Sequence, residues 1–346
     1  MHIFESIFLD CFNGISQFCE IIGFFSLIRF FRRKRIIILM YHGITAQHHP
    51  VANFDGKHVE KEKFEKQLCH LKKKYTLISL NDYMDKKKTL PNNAVVLTFD
   101  DGYANLYTQI LPILKKEKIP ITIFIPTGYI SKEQMGWYDK ITYAISVTKE
   151  KSIIVNEKKY FLESEKQKCA AILELKINVA GSPEKREQII EEVFKVTNAQ
   201  KKTTAEDFCY LPWEQCKEMQ EEGVIFGSHS VMHPLLTKEK ERLKEELSES
   251  KKAIEKNLGK KCIVFAYPFG DYDNCIAEKT EAEGYICAVT TEYGTNTRKT
   301  NPFELRRIAI NNLYSEKLFP LLLLCNFRGF HHSILVAYSK LRKVFH

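Results

Sequence analysis

Two adjacent carboxylates close an apolar run at Val95-Val96-Leu97-Thr98-Phe99-Asp100-Asp101-Gly102, and two histidines four residues apart, His229 and His233, follow another, Val224-Ile225-Phe226-Gly227-Ser228. Successive side chains of a strand point to opposite sides, so neighbouring carboxylates at its end can be given different tasks. Taken alone, Asp-Asp-Gly also reads as a solvated turn, because these residues tolerate turn geometry. The His-x-x-x-His spacing lets two imidazoles meet on one side of a helical turn and reach one metal ion, though alone it also fits surface or capping histidines. Position joins the two pairs, since each sits directly after a predicted strand. One carboxylate and two histidines make a three-ligand site with open positions for water, and the second carboxylate is left to accept that water's proton. The chemistry implied is metal-assisted hydrolysis.

The elements that must position these groups are a series of short β-branched or aromatic runs. They cover Ile36 to His42, Val95 to Phe99, Ile121 to Ile125, Val224 to His229, Ile263 to Tyr267, Tyr285 to Thr290 and Leu305 to Ile310. Continuous apolar runs of this length suit strands buried on both faces, as in a parallel sheet. Helical patterns lie between them at Lys61 to Lys74, Leu106 to Glu117 and Lys238 to Leu258, the last ended by Gly259. The alternation predicts an α/β fold, a β/α barrel, whose reactive groups gather at the C-terminal ends of the strands. One region interrupts it, from about 137 to 208. It reads as a hairpin (Ser152 to Leu162, turning at Asn156-Glu157) followed by helices at Lys166 to Val179 and Pro183 to Thr197, an insertion between the third and fourth strands.

The charge balance, 52 Lys+Arg against 43 Asp+Glu for a formal +9, is spread along helices, and no nucleic-acid motif accompanies it. Ten cysteines occur singly, which suits free thiols in a reducing compartment. Residues 1–34 form a separate segment: polar Ser6, Asp10, Asn13, Gln17 and Glu20 recur at steps of three and four on an otherwise apolar surface, ahead of Arg29, Arg32, Arg33, Lys34 and Arg35. That pattern predicts a helix lying on an anionic membrane surface; a helix packed on the domain and an uncleaved signal anchor are the alternatives. The barrel is expected over 35–315. Residues 316–346 again mix apolar and basic side chains and lie on the same surface or cover a barrel end.

From about Ile36 to Ile310, outside the insertion, the chain resembles the polysaccharide deacetylases, the NodB-like carbohydrate esterases. Thr98-Phe99-Asp100-Asp101-Gly102 resembles their first motif, His229-Ser230-x-x-His233 the second and Tyr267-Pro268-Phe269-Gly270 the third. The resemblance implies a deformed (β/α)7-type barrel that hydrolyses an N-acetyl, occasionally an O-acetyl, group on a sugar with a divalent metal. It implies Asp100 as general base, Asp101, His229 and His233 as metal ligands, and the Phe269 backbone N–H as an oxyanion donor beside the metal. Two histidines and a carboxylate suit zinc and also accept cobalt, nickel or iron(II). Two departures stand out. Ala266 occupies the place of the arginine that usually orients the base; Arg307 is the preferred substitute, an ordinary surface arginine the alternative. The fifth motif, a Leu-x-His supplying the proton to the leaving amine, has no matching copy: His331-His332 stand in an unlike context, and His42, after the first strand, is either an acid or substrate contact or a structural histidine. Tyr267 and Trp137 are the candidate sugar contacts, Trp137 by stacking, with helix-start packing as its other reading. The Phe-Ala-Tyr-Pro variant with a late Arg-Ile is similar to the branch containing poly-N-acetylglucosamine and surface-polysaccharide deacetylases.

The function expected is N-deacetylation of the amino sugars of a surface polysaccharide or its lipid-linked precursor. The expected place is the cytoplasmic face of a membrane, with peripheral lipid contact and no nucleic acid. An exported deacetylase of peptidoglycan or poly-N-acetylglucosamine is the alternative. A catalytically silent glycan-binding scaffold is the alternative of another class, motivated by the displaced arginine and the missing histidine.

Overall fold

Seven parallel strands, β1 (Ile37–Tyr41), β2 (Ala94–Phe99), β3 (Ile121–Ile125), β4 (Ile225–Ser228), β5 (Val264–Ala266), β6 (Cys287–Tyr293) and β7 (Leu305–Ala309), are hydrogen-bonded in chain order, and β1 pairs with both β2 and β7 to close the ring. This computed structural model describes residues 24–130, 135–181, 183–314 and 318–324. The fold is thus the (β/α)7-type barrel, each strand lying within a few residues of the run that predicts it. The two-residue strand Thr76–Leu77 adds beside the start of β2.

Period-two alternation sorts the strand residues. Ile38, Val96, Phe124, Val264, Ala266, Val289 and Leu305 form one apolar cluster, the barrel interior. Leu39, Leu97, Phe99, Ile123, Phe226, Phe265 and Tyr267 belong to the larger cluster under the surrounding helices. Carried up each strand, the inward phase delivers His42 after β1, Thr98 and Asp100 on β2, His229 after β4 and Arg307 on β7 to one rim.

Helices Lys61–Lys74 and Asn105–Glu117 occupy their expected positions, while the helix expected from Lys238 is α-helical only over Leu243–Leu258. The stretch before it forms a 3-10 turn at Lys240–Arg242, and Thr237 bonds the Asp271 carboxylate through both N (2.7 Å) and Oγ1 (2.8 Å). A short parallel pair, Gly43–Thr45 with His58–Glu60, and helices Trp213–Glu221 and Asn274–Ala282 are further elements. The insertion comprises helix Trp137–Val147, the hairpin Ser152–Val155/Lys158–Phe161, and helices Glu165–Gly181 and Arg186–Thr197. Its turn residues Asn156 and Glu157 both have positive φ, 50° and 63°, as a two-residue hairpin turn requires.

The polar stripe expected over the first residues lies outside the described residues, as do His331-His332 and most of the C-terminal segment. Phe24–Arg32 is helical, and Arg32 donates to the Leu324 carbonyl of helix Leu318–Leu324. The Arg33 carbonyl accepts from Asn93 N (2.8 Å), immediately before β2. This helix therefore lies at the N-terminal ends of the strands, across the barrel from the rim that carries Asp100, a distance of about 17 Å for five residues of strand. No helix among the described residues is long and apolar enough to cross a membrane.

Candidate active site

Asp100 faces inward at the end of β2 and is 2% exposed. Arg307 grips it in fork geometry, Nη1 to Oδ1 and Nη2 to Oδ2 both at 2.7 Å, and is itself 1% exposed. A register shift in β6 between Val289 and Tyr293 presents the Thr290 carbonyl to Arg307 Nε (2.8 Å). Thr98 Oγ1 accepts weakly from Nη1 (3.3 Å) and donates to the Leu39 carbonyl (2.6 Å). Burial opposes ionisation of Asp100, but the Arg307 guanidinium, with a smaller contribution from His229, outweighs it and lowers the carboxyl to about 2. The carboxylate is charged and aimed at every ordinary pH. Ala266, where a guanidinium was expected by resemblance, also faces the interior; the group that meets Asp100 comes instead from two strands further on.

Simple alternation would send Asp101 to the opposite face. Its φ of 69°, a left-handed conformation that Asp tolerates, turns it back to the same rim. Gly102 follows at φ 66°, and a Cβ there would stand 2.5 Å from Ile125 Cγ2, so glycine is required on both counts. The two histidines do not share a helical turn, contrary to the sequence expectation. Residues 229–235 are non-helical, with Ser230 and His233 at φ 66° and 52°. The loop is held by Ser230 Oγ accepting from His233 N (3.0 Å) and by the buried Glu246, whose Oε2 accepts from Val231 N and Met232 N (2.8 and 2.9 Å).

The result is a compact donor set: His229 Nε2 to His233 Nε2 3.1 Å, Asp101 Oδ1 to His233 Nε2 3.4 Å and to His229 Nε2 3.7 Å. A tetrahedral ion with bonds of about 2.0–2.1 Å sets its ligands roughly 3.3 Å apart, so the three atoms fit the face of such a polyhedron. His229 Nδ1 lies 2.7 Å from the Ala266 carbonyl and must donate to it, which leaves Nε2 bare for a metal. Burial, then His229, drives the His233 imidazolium far below its usual range, so that ring is neutral as a ligand must be. The residues present fit a divalent cation.

These groups line a pocket of about 300 Å³ together with His42, Lys57, Tyr138, Lys176 and Phe269. Phe269 has φ 58° and a 44% exposed side chain, its ring 4.5 Å from that of His233. The two candidate sugar contacts require correction. Tyr267 is fully buried on the outward phase of β5, its hydroxyl donating to the Phe303 carbonyl (3.1 Å) and its ring stacked on Tyr272. Trp137 is 4% exposed and donates through Nε1 to the His233 carbonyl (3.0 Å), with the Arg186 guanidinium 4.2 Å from its ring centre. Neither offers a face to a sugar. Conversely, Lys57, Tyr138 and Lys176 reach the pocket without any signal in sequence spacing: Lys57 comes from a loop, and Tyr138 and Lys176 from insertion helices. Burial works against the Lys57 ammonium, but Asp139, then Asp55 and Asp101, hold its pKa above the ordinary lysine value.

A buried carboxylate gripped by a guanidinium stands beside a His-His-carboxylate donor set at the C-terminal rim of a β/α barrel, an arrangement suited to hydrolytic chemistry. Residues 87–288 match the model of the polysaccharide deacetylase family, and the chain belongs to that family. YxkH of Bacillus subtilis, itself assigned to the polysaccharide deacetylases, is 23% identical over 284 residues, 80% of this chain and 72% of that one. The poly-beta-1,6-N-acetyl-D-glucosamine N-deacetylase of Staphylococcus aureus is 37% identical over 87 residues, a stretch covering 24% of this chain and 30% of that enzyme. Among solved structures, the Streptococcus pyogenes deacetylase PplD in complex with acetate has a TM-score of 0.56 at 22% identity, covering 84% of this chain and 98% of that one. IcaB from Ammonifex degensii likewise has a TM-score of 0.56, at 20% identity, with 84% and 96% covered. These likenesses show the shared barrel.

Proposed function

We infer that the chain is a zinc-dependent N-deacetylase acting on the amino sugars of a surface polysaccharide, and that its substrate is of the poly-N-acetylglucosamine kind. The observation that carries this reading is the Asp100–Arg307 pair set beside Asp101, His229 and His233 on one pocket. Asp101, His229 and His233 would hold a divalent ion, which would supply Lewis acidity toward the acetyl carbonyl and make water at the site more acidic. Asp100, kept ionised and immobile by Arg307, accepts the proton of the attacking water. The Phe269 backbone N–H donates to the oxygen that gains charge as the carbonyl carbon becomes tetrahedral. His42, at the pocket wall, gives a proton to the departing amine. The substrate assignment draws on the activity named for the staphylococcal relatives. It is tested by acetate release from β-1,6-linked N-acetylglucosamine oligomers, peptidoglycan fragments and a lipid-linked amino sugar. Release from the first set alone is expected; release only from either of the others overturns the assignment.

Peripheral attachment to the cytoplasmic face of a membrane belongs to the same proposal. Helix Phe24–Arg32 exposes Leu27 (53%), Phe30 (56%) and Phe31 (76%) among basic residues, which supports contact with anionic lipid. The cysteines among the described residues are all free, which supports a reducing compartment. Because that helix and the site lie at opposite barrel ends, docking through it would turn the pocket away from the bilayer, which supports a glycan chain over a lipid-linked unit as substrate. Protection from added protease in intact cells is expected; digestion of the barrel from outside would favour an exported enzyme.

A further inference from the structure

Behind Asp101 a second set of polar groups is buried in one hydrogen-bonded chain. Tyr138 donates to Asp101 Oδ1 (3.2 Å), the same oxygen that faces both histidine nitrogens. Tyr210 Oη lies 3.1 Å from Tyr138 Oη and 3.0 Å from Asp139 Oδ2, and accepts from Gly136 N (3.0 Å). Tyr103 donates to Asp139 Oδ2 (2.8 Å) and accepts from Lys57 Nζ (2.6 Å), while Lys57 also pairs with Asp139 Oδ1. Tyr103 and Asp139 have no exposed surface, and Tyr138 and Tyr210 are 4% and 6% exposed. Burying so many polar groups is unfavourable unless each finds a partner, and here each does.

The proton count gives the chain a direction. Lys57 and Tyr103 satisfy Asp139. Tyr210 has one proton for Asp139 or Tyr138. The Tyr138 proton goes to Asp101. One residue earlier on the same helix, the Trp137 N–H holds the His233 carbonyl. A single helical turn, the start of Trp137–Val147, thus touches two of the three candidate ligands.

We propose that this first turn of the insertion is the positioning element of the metal site: Tyr138, backed by Tyr210 and the Asp139–Lys57 pair, fixes the ligating oxygen of Asp101, and Trp137 fixes the loop that carries His233. The proposal rests on the metal reading of Asp101, His229 and His233. It makes the insertion a working part of the site. Groups that orient ligands in this way typically govern metal affinity by about 10- to 100-fold.

The test compares the full-length wild type with Tyr138→Phe and Tyr210→Phe, measuring Zn2+ affinity by competition with a chromophoric chelator and thermal stability of the metal-free protein. Tyr138→Phe should bind Zn2+ about 10- to 100-fold more weakly, and excess Zn2+ should restore full occupancy of the site. Tyr210→Phe leaves the Tyr138 phenol in place but without its support, and should lose less affinity; it also carries the test if Tyr138→Phe does not fold. Wild-type affinity in both variants overturns the proposal, as does a fall in metal-free stability with affinity unchanged. Absence of Zn2+ binding by the wild type would instead remove the metal reading beneath it.

Discussion

Asp100→Asn should lower kcat by about 10²–10⁴-fold while the protein keeps its bound metal, because the substitution removes the proton acceptor and leaves the three candidate ligands in place. The prediction separates the two neighbouring carboxylates, since Asp101→Asn should lose metal and turnover together. Asn retains the shape of Asp but leaves the Arg307 charge without its counter-ion, so a lower melting temperature accompanies the loss of rate. Initial rates measured well below that temperature, with metal content by elemental analysis on the same samples, distinguish lost chemistry from lost fold. A variant that turns over at the wild-type rate would show that the proton is taken elsewhere.

Arg307→Met should have the largest effect on stability. The pair is buried on both sides, and removing one partner of such a pair typically costs about 3–5 kcal/mol because the other charge is left uncompensated. The effect should depend on pH. With Arg307 present, the folded-state pKa of Asp100, about 2, lies below the usual carboxylate value. The pair's contribution is therefore fully present above that usual value and is lost as pH falls toward about 2. Without Arg307 the largest lowering influence on Asp100 is gone, and burial, opposed only by the smaller contributions of His229 and His42, moves its pKa upward, so in acid the variant folds with a neutral carboxyl. The difference between wild type and variant, read from urea unfolding, should be largest near neutrality and narrow as pH is lowered. The acidic limb of the activity profile should also lie at higher pH in the variant than in the wild type. A constant stability difference across that range would mean that Arg307 acts through packing alone.

The strands were legible because a strand buried on both faces reads as a short apolar run, as β1, β2, β3 and β5 do almost throughout, whereas β6 and β7 mix in polar residues and were marked by their apolar part. The pair Gly43–Thr45 and His58–Glu60 was not, because three residues carry no periodicity. The four residues assigned to base and ligand roles come together at one rim because each stands at or just beyond a strand end. The manner in which the histidines meet was not legible: positive φ at Ser230 and His233 is set by Glu246 and neighbouring backbone, contacts distant in sequence. Tyr267 was misplaced for a related reason. A motif names the residue, whereas the phase of the alternation decides its face, and Ala266 takes the inward position. Of the two readings of Trp137, its surroundings match helix-start packing and not stacking on a sugar, since the buried indole donates its N–H to the His233 carbonyl. Lys57, Tyr138 and Tyr210 belong to loops and an insertion, and only the folded chain puts them in contact with one another.

The same geometry bears on the reading of the chain as a silent glycan-binding scaffold. One of its two motives was the missing arginine, yet a guanidinium reaches Asp100 from β7 with both bonds at 2.7 Å. A binding scaffold has no use for a buried carboxylate held ionised beside a three-donor cluster, since burying that charge is unfavourable until Arg307 compensates it. The proton donor is supplied from the pocket wall in this account, where His42 stands.

Asp101, His229 and His233 are proposed to hold one divalent ion on which deacetylation depends. The most direct measurement is a titration of chelator-treated protein with Zn2+, following acetate release from an N-acetylglucosamine oligomer in the wild type and in His229→Ala. Wild-type activity should rise linearly and saturate at one equivalent, and the variant should neither bind the ion tightly nor release acetate. Full acetate release by the metal-free wild type, or unaltered binding and turnover in His229→Ala, would contradict it.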